Sequence, residues 1–524
     1  MIQRRGSVLL LVLVVVVMLT LASFGLCNLM IEHRRGVSAF GQKLQAEAIA
    51  ASGVARIASE LMQDTETVRR DGGLYNNPGL FRGVVVVDEE AGGRIGRFTV
   101  VAPSDAYLSG GSADYGGIRY GLENESARIN LNALLALEKV RRGAARRMLS
   151  ALPEMTEEIA DAILDWIDQD DQPRRFGAEA NDYSGLQPPY VPRNGPLESI
   201  EELLLVRGVT PTLLFGADRN RNGILDPKEA ANPSATNGLE VGGWARYLTI
   251  YSEERTAQPD GTPKINVNGS DLKGLFTDLE TALGSDAATF IVAARQFGTE
   301  EPRDSKQSGS AGASGKKKAR KAKAVQPVTQ STGSVEIDFD RPAGEKIKSI
   351  LDLVGVEVRL PPVAEGESER VLTSPFSDRR TAMSDYLSDL MDQLTVSEEA
   401  TIVGRIHVNL APPLVLLGIP GMTEPIVDAI VAARDPEVVA ERPGRRHATW
   451  LLTERIVGLK KMKKLLPFLT ATGHVYRAQV VGYFDQGGAS ARLEVVLSAT
   501  TRPPRRLLWR DISRLGRGFS IGAL

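Results

Sequence analysis

Apolar and polar positions divide the start of the chain into three zones. Met1–Gly6 (MIQRRG) is short and basic, and Ser7–Ile31 carries no charged residue around the core VLLLVLVVVVMLTLA. A run of that length crosses a bilayer as a helix and exceeds the apolar part of an ordinary secretory signal. Arg4 and Arg5 precede the span and Arg34 and Arg35 follow it, so basic residues do not set its orientation. The next stretch, AFGQKLQAEAIAASGVARIASELMQ, is rich in good helix formers, and its Leu44, Ile49, Val54, Ile57 and Leu61 recur at helical spacing. The helix is therefore predicted to continue beyond the membrane.

The period then changes. GLFRGVVVVDEEAGGRIGRFTVVAP predicts two strands around a Gly-rich turn, and IRYGLENESARINLN predicts a third. At the far end, HVYRAQVVGYF, ARLEVVLSATT and RRLLWRDI alternate polar and apolar residues and predict three short strands that complete the same sheet. The material between is mostly helical, starting with Asn132 to about Phe215, and would be an insert.

Three segments of the insert look alike. They open with IleAsnLeuAsn at Ile129–Asn132, IleAsnValAsn at Ile265–Asn268 and IleHisValAsn at Ile406–Asn409. The first and third share Pro–x–Met–Thr–Glu at Pro153–Glu157 and Pro420–Glu424, and the second and third share IVAAR at Ile291–Arg295 and Ile430–Arg434. The pattern is strand, helix, tight turn and second helix, with Thr156 and Thr423 as N-caps and Pro425 in a first turn. Such units resemble helix-hairpin-helix modules.

A chain of 524 residues implies several domains. The divisions predicted are a leader at 1–6, a transmembrane helix at 7–31, a stalk helix with the first strands at 32–131 and a helical insert at 132–300. After these come a disordered linker at 301–335, a second helical part at 336–471 and the last strands at 472–524. The linker holds SGSAGASG and the basic run Lys316–Lys323, which reads as a solvated tether. Lys plus Arg is 63 against 65 for Asp plus Glu, a balance that argues against a dedicated nucleic-acid binder. The single cysteine, Cys27, lies in the apolar run, so no intrachain disulfide can form.

Two acidic constellations carry candidate chemistry. DRNRNGILDPKE, Asp218 to Glu229, matches the calcium loop D-x-[DN]-x-[DN]-G-x5-E at every specified position. Asp218, Asn220 and Asn222 offer side-chain oxygens, Gly223 permits the sharp turn, Ile224 offers its carbonyl, Asp226 binds directly or through water, and Glu229 closes the shell. Pro227 and Pro233 interrupt the helix expected after the loop, which favours a structural site over a sensor. In DAILDWIDQDDQPRRFGAEANDY, Asp161, Asp165 and Asp168 share one helix face and repel unless neutralised. Either a cation or Arg174 and Arg175 would relieve them.

Two arginines, Gly6, the small Ser7 and an unbroken apolar helix resemble a type IV pilin-like N-terminus, which implies cleavage after Gly6. Asp165-Trp166-Ile167-Asp168, Gly177-Ala178-Glu179, Tyr183, Asn194-Gly195-Pro196-Leu197, Glu201-Glu202-Leu203 and Arg207-Gly208 resemble the helical insert of the K-type minor pseudopilins of type II secretion. ENESARINLN resembles the segment leading into it. Pilin-like proteins mostly carry Glu as the fifth mature residue; Leu11 stands there, a departure typical of the K type. An unpaired carboxylate in lipid needs a partner, which a subunit at the filament end lacks.

The resemblance implies an α+β fold: a pilin-like transmembrane and stalk helix, an antiparallel sheet and a large inserted α-helical domain with helix-hairpin-helix-like repeats. It implies Ca²⁺, carried over to Asp168, Asp170 and Glu179. It implies an inner-membrane protein with its bulk in the periplasm. The partners implied are the I- and J-type minor pseudopilins, the major pseudopilin and the prepilin peptidase. It also implies a non-enzymatic position at the pseudopilus tip. No G-x-S-x-G, Walker loop or HExxH is present, and His33, His407, His447 and His474 include no pair at metal-ligand spacing. The alternative is a membrane-anchored DNA-binding protein of competence type. Against it, the turns read ProGluMet and ProGlyMet, and Glu154 would repel phosphate.

Overall fold

The computed structural model describes residues 5–89, 94–104, 117–226, 229, 242–302, 328–330, 337–362, 370–434, 443–520, 522 and 524. The first four residues of the leader, the Gly-rich turn at 90–93, Pro227, Pro233 and the Lys316–Lys323 run lie outside them.

Helix α1 runs unbroken from Arg5 to Glu60. It is the one helix among the described residues long and apolar enough to cross a membrane. Its lower part, from Val8 to Phe40, is exposed throughout. Its upper part buries Ala46, Ile49, Ala50, Val54 and Ile57 against a sheet. Leu44, expected on that face, is 49% exposed: it stands five residues before Ile49, about 140° round the helix, and Ala46 takes the contact.

The sheet has β1 (Val84–Glu89), β2 (Arg94–Pro103), β3 (Val475–Phe484), β4 (Ala491–Ser498) and β5 (Arg505–Asp511), antiparallel throughout and in that spatial order. β2 and β3 pair directly, with Val100 opposite Val480 and Phe98 opposite Gly482, although the whole helical region separates them in sequence. The expected third strand is three fragments instead: Ile118–Arg119 pairs antiparallel with the end of β2, Glu123–Asn124 pairs with β3, and Ile129–Asn130 leaves for the insert. Asn124 is the reason, since its side chain accepts from Ser126 N–H and starts a 3-10 turn.

Each of the three similar segments opens with a two-residue strand that pairs in parallel with a later Leu-Thr. Ile129–Asn130 pairs with Leu248–Thr249, Ile265–Asn266 with Leu394–Thr395, and Ile406–His407 with Leu469–Thr470. The polar residues repeat their hydrogen bonds too. Asn130, Asn266 and His407 each accept from the N–H two residues on, at 3.0, 2.9 and 3.3 Å. Asn132 brackets the backbone of Leu197 (2.8 and 3.0 Å) and Asn268 that of Ile347 (3.0 and 2.9 Å), while Asn409 donates to Arg445 O. Thr249, Thr395 and Thr470 accept from Tyr251, Ser397 and Thr472 N–H. The hairpins are Ala144–Ser150 with Glu157–Ile167, Leu272–Leu283 with Ser285–Phe297, and Pro413–Gly418 with Glu424–Ala433. Thr156 caps as expected, accepting from Ile159 N–H at 3.3 Å. Thr423 makes no such bond; Pro425, just inside the helix, removes one donor.

The middle segment leaves and returns through a neck, Glu253–Arg255 antiparallel to Thr401–Val403. The stretch expected to be a disordered linker includes a strand, Val328–Gln330, parallel to Arg370–Leu372.

The apolar interior forms two separate clusters. One fills the helical insert and the other lies between α1 and the sheet. The architecture is the α+β one expected, an apolar stalk on an antiparallel sheet with helical material inserted between β2 and β3.

Candidate cation sites and the insert–sheet junction

Helix Glu157–Ile167 is buried along nearly its whole length, Asp161 and Asp165 included. Their charges are met by arginine. Asp161 pairs with Arg146 at 2.5 Å and accepts from Phe176 N–H at 3.2 Å. Arg174 pairs with Asp165 at 2.6 Å and also with Asp168. Arg175 instead lies over the Phe176 ring, 4.8 Å from its centroid. Gly177 lets the loop close over the helix: a β-carbon there would stand 1.7 Å from Asp165 Oδ2.

One buried carboxylate, Glu179, is left without a partner among the described residues. Asp168, Asp170 and Glu179 each bring a carboxylate oxygen within 4.8 Å of the others. Glu179 is 4% exposed, and both its carboxylate oxygens lack a hydrogen-bond partner, as does Asp168 Oδ1. Burial, with the neighbouring charges of Asp165 and Asp168, pushes the Glu179 carboxyl up to about 7. A buried orphan carboxylate is costly, and three converging hard oxygens fit a divalent cation such as calcium.

The 218–229 loop folds inward on its own amides. Asp218 accepts from Asn222 N–H (3.1 Å) and Gly223 N–H (2.7 Å), as the sharp turn at Gly223 (φ 80°) requires. Asn222 Oδ1 accepts from Ile224 N–H at 2.9 Å. Glu229 accepts from Arg219 N–H at 2.9 Å and Asp226 N–H at 3.1 Å, and Asn220 Nδ2 donates to Asp226. No described Lys, Arg or His forms an ion pair with Asp218, Asp226 or Glu229. Burial pushes Asp218 up to about 6, with Glu229 adding to it. The all-oxygen donor set, three carboxylates among it, fits a hard cation here as well. The oxygens that come closest together without partners are those of the 168–179 group.

Beside this loop, the insert meets the sheet through buried charge that sequence reading missed. Glu125, fully buried, takes Arg477 (2.6 Å) and Arg128 (3.2 Å). Arg477 and Arg510 both reach Glu494, and Arg510 goes on to Glu201, which also holds Arg221 at 2.9 Å. Arg477, Glu494 and Arg510 alternate with apolar residues on their strands and look solvent-facing in sequence; only the position of the insert buries them.

Residues 127–215 match the family model of type II secretion system protein K, first domain. Type II secretion system protein K of Pseudomonas aeruginosa is 34% identical over 101 residues, which is 18% of this chain and 30% of that protein. The matched stretch therefore spans under a third of that relative. A chain of the GspK–GspI–GspJ complex of the type 2 secretion system of enterotoxigenic Escherichia coli aligns over 91% of this chain and 99% of its own, at 12% identity and a TM-score of 0.32, below what establishes a common fold. The family-model match covers the helix and loop that carry Asp168, Asp170 and Glu179, and over that stretch this chain is similar to type II secretion system protein K.

Proposed function

We propose that the chain is a non-enzymatic minor pseudopilin that sits at the tip of the type II secretion pseudopilus, nucleates its assembly and supports export. The observation that carries this reading is the division of α1. Its exposed apolar half is free to pack among sibling helices, and its other half is held rigidly by the sheet. Cleavage after Gly6 by the prepilin peptidase would free Ser7, and the span would hold the protein in the inner membrane with its bulk in the periplasm. Leu11 in place of a glutamate and the bulk of the insert would bar another subunit from stacking ahead. The partners on this reading are the I- and J-type minor pseudopilins and, below them, the major pseudopilin. The similarity of residues 127–215 to type II secretion system protein K favours this reading over the DNA-binding alternative. Asp168, Asp170 and Glu179 would hold one calcium ion and the 218–229 loop another, each supplying charge compensation and rigidity in a chain without disulfides.

Co-purification tests this. The chain from Glu32 onward, mixed with its I- and J-type counterparts, is expected to form a complex that survives gel filtration; failure to bind either removes the tip assignment.

A further inference from the structure

The two apolar cores do not merge, and between them lies a cavity of about 160 Å³ whose lining mixes the charged Arg128, Glu201, Asp218, Arg477 and Glu494 with apolar groups such as Ile200 and Phe215. The insert is thus seated on the sheet largely by polar contacts, since the two cores stay separate. The 218–229 loop makes a distinct set of them. Arg492 on β4, fully buried, donates to the carbonyls of Asn220 (2.8 Å) and Arg221 (2.6 Å). Gln479 on β3 donates to the same Arg221 carbonyl at 2.7 Å and accepts from Arg492 at 2.7 Å. Asn222 Nδ2 donates to Gly518 O at 2.6 Å, and the Arg492 guanidinium lies over the Phe519 ring. Ile224 packs against the sheet core, and Gly223 lies on Pro103, where a β-carbon would stand 2.2 Å from Cγ.

Arg492 takes the loop's outward carbonyls and none of its carboxylates. Its charge therefore fixes the backbone, while Asp218, Asp226 and Glu229 accept, among the described residues, only from backbone N–H groups and the side-chain amides of Asn220 and Asn222. Ile224 is shared in the same way, its side chain on the sheet core and its carbonyl at a predicted ligand position.

We infer that a divalent cation in the 218–229 loop is the bolt that seats the helical insert on the sheet and holds the C-terminal segment 513–520 in place, with Arg492 as the positioning residue. This rests on the reading of the loop as a cation site. Without the ion, mutual repulsion of the carboxylates spreads the loop, and the carbonyls of Asn220 and Arg221 and the side chain of Asn222 leave their partners. Linkage makes the effect reciprocal: a contact that holds the loop in shape also raises its affinity for the ion.

The test is hydrogen exchange on the full chain in detergent micelles, with calcium or with EDTA, together with calorimetry. Calcium is expected to slow exchange in peptides covering 491–498 and 513–520 by at least about tenfold. Asn222→Asp keeps a ligand oxygen and loses the donor to Gly518. It should still bind calcium at the loop while protection of 513–520 falls to the EDTA level. Arg492→Gln should weaken loop binding by about tenfold or more; should it fail to fold, Asn222→Asp carries the test. Calcium bound at the loop with no change in 513–520 would overturn the coupling alone. Calcium heats unchanged in Glu229→Gln would show that the loop is no site, and the inference would fall with that reading.

Discussion

Gly482 faces the Ala46 carbonyl so closely that a β-carbon on it would stand 2.2 Å from that oxygen. Gly53, opposite, has the same relation to Val480 and Phe98, at 2.6 and 2.8 Å. Helix and sheet meet at close range along this line. Gly482→Ala should therefore lower the unfolding free energy by about 1–3 kcal/mol through overpacking. Chemical denaturation of the soluble part reads this directly; unchanged stability would mean that the stalk does not seat on β3 as described.

Glu179→Gln should have opposite effects with and without calcium. In EDTA the variant should be the more stable by about 1–3 kcal/mol, since a buried carboxylate without partners is removed. In calcium the order should reverse, because a ligand charge is lost. Thermal unfolding in the two buffers checks this, and a variant less stable in both would contradict the orphan geometry.

Arg174 is the only described cation on Asp165 and Asp168. Arg174→Leu should cost about 3 kcal/mol in EDTA, because it strands two buried carboxylates. Saturating calcium should return part of that loss. Denaturation midpoints with and without the ion measure both effects.

The junction should be acid-sensitive. Burial alone would raise the Glu494 carboxyl, but Arg477 and Arg510 on either side hold it at about 2, against an ordinary value of 4.5. The fold thus binds fewer protons at this group than the unfolded chain does. Its contribution is fully present above 4.5 and is lost as pH falls from there toward 2. Glu125, between Arg477 and Arg128, is lowered in the same direction despite complete burial. Unfolding free energy followed over that acid range should fall, and the fall should be shallower in Glu494→Gln.

Sequence periodicity reached the stalk, the five main strands and the three repeat openings, because each is a local pattern. It placed Leu44 on the packed face, although a step of five residues to Ile49 turns about 140° round a helix and leaves Leu44 exposed. It found IleAsnLeuAsn and its two relatives but not the Leu-Thr closures at 248–249, 394–395 and 469–470, which lie some distance on and are only two residues long. The shared strings YLTI, QLTV and FLTA were the available signal. His407 illustrates the gap. Alone it reads as a stray histidine, but aligned with Asn130 and Asn266 it is a buried neutral acceptor, held down at about 3 by burial and by Arg434. The charges joining insert to sheet come from positions hundreds of residues apart, so no local pattern could have paired Glu125 with Arg477.

The neck at Glu253–Arg255 and Thr401–Val403 has a consequence for ancestry. Because the middle repeat departs and comes back at one spot, a tight turn joining Arg255 to Thr401 would bypass it without rethreading the chain. The first and third hairpins, whose helices Ala144–Ser150 and Pro413–Gly418 touch through Gly418 and Met148, would keep their pairing. A lineage could thus acquire or discard this module by a single insertion or deletion, and shorter cousins with two hairpins are the expected trace of such an event.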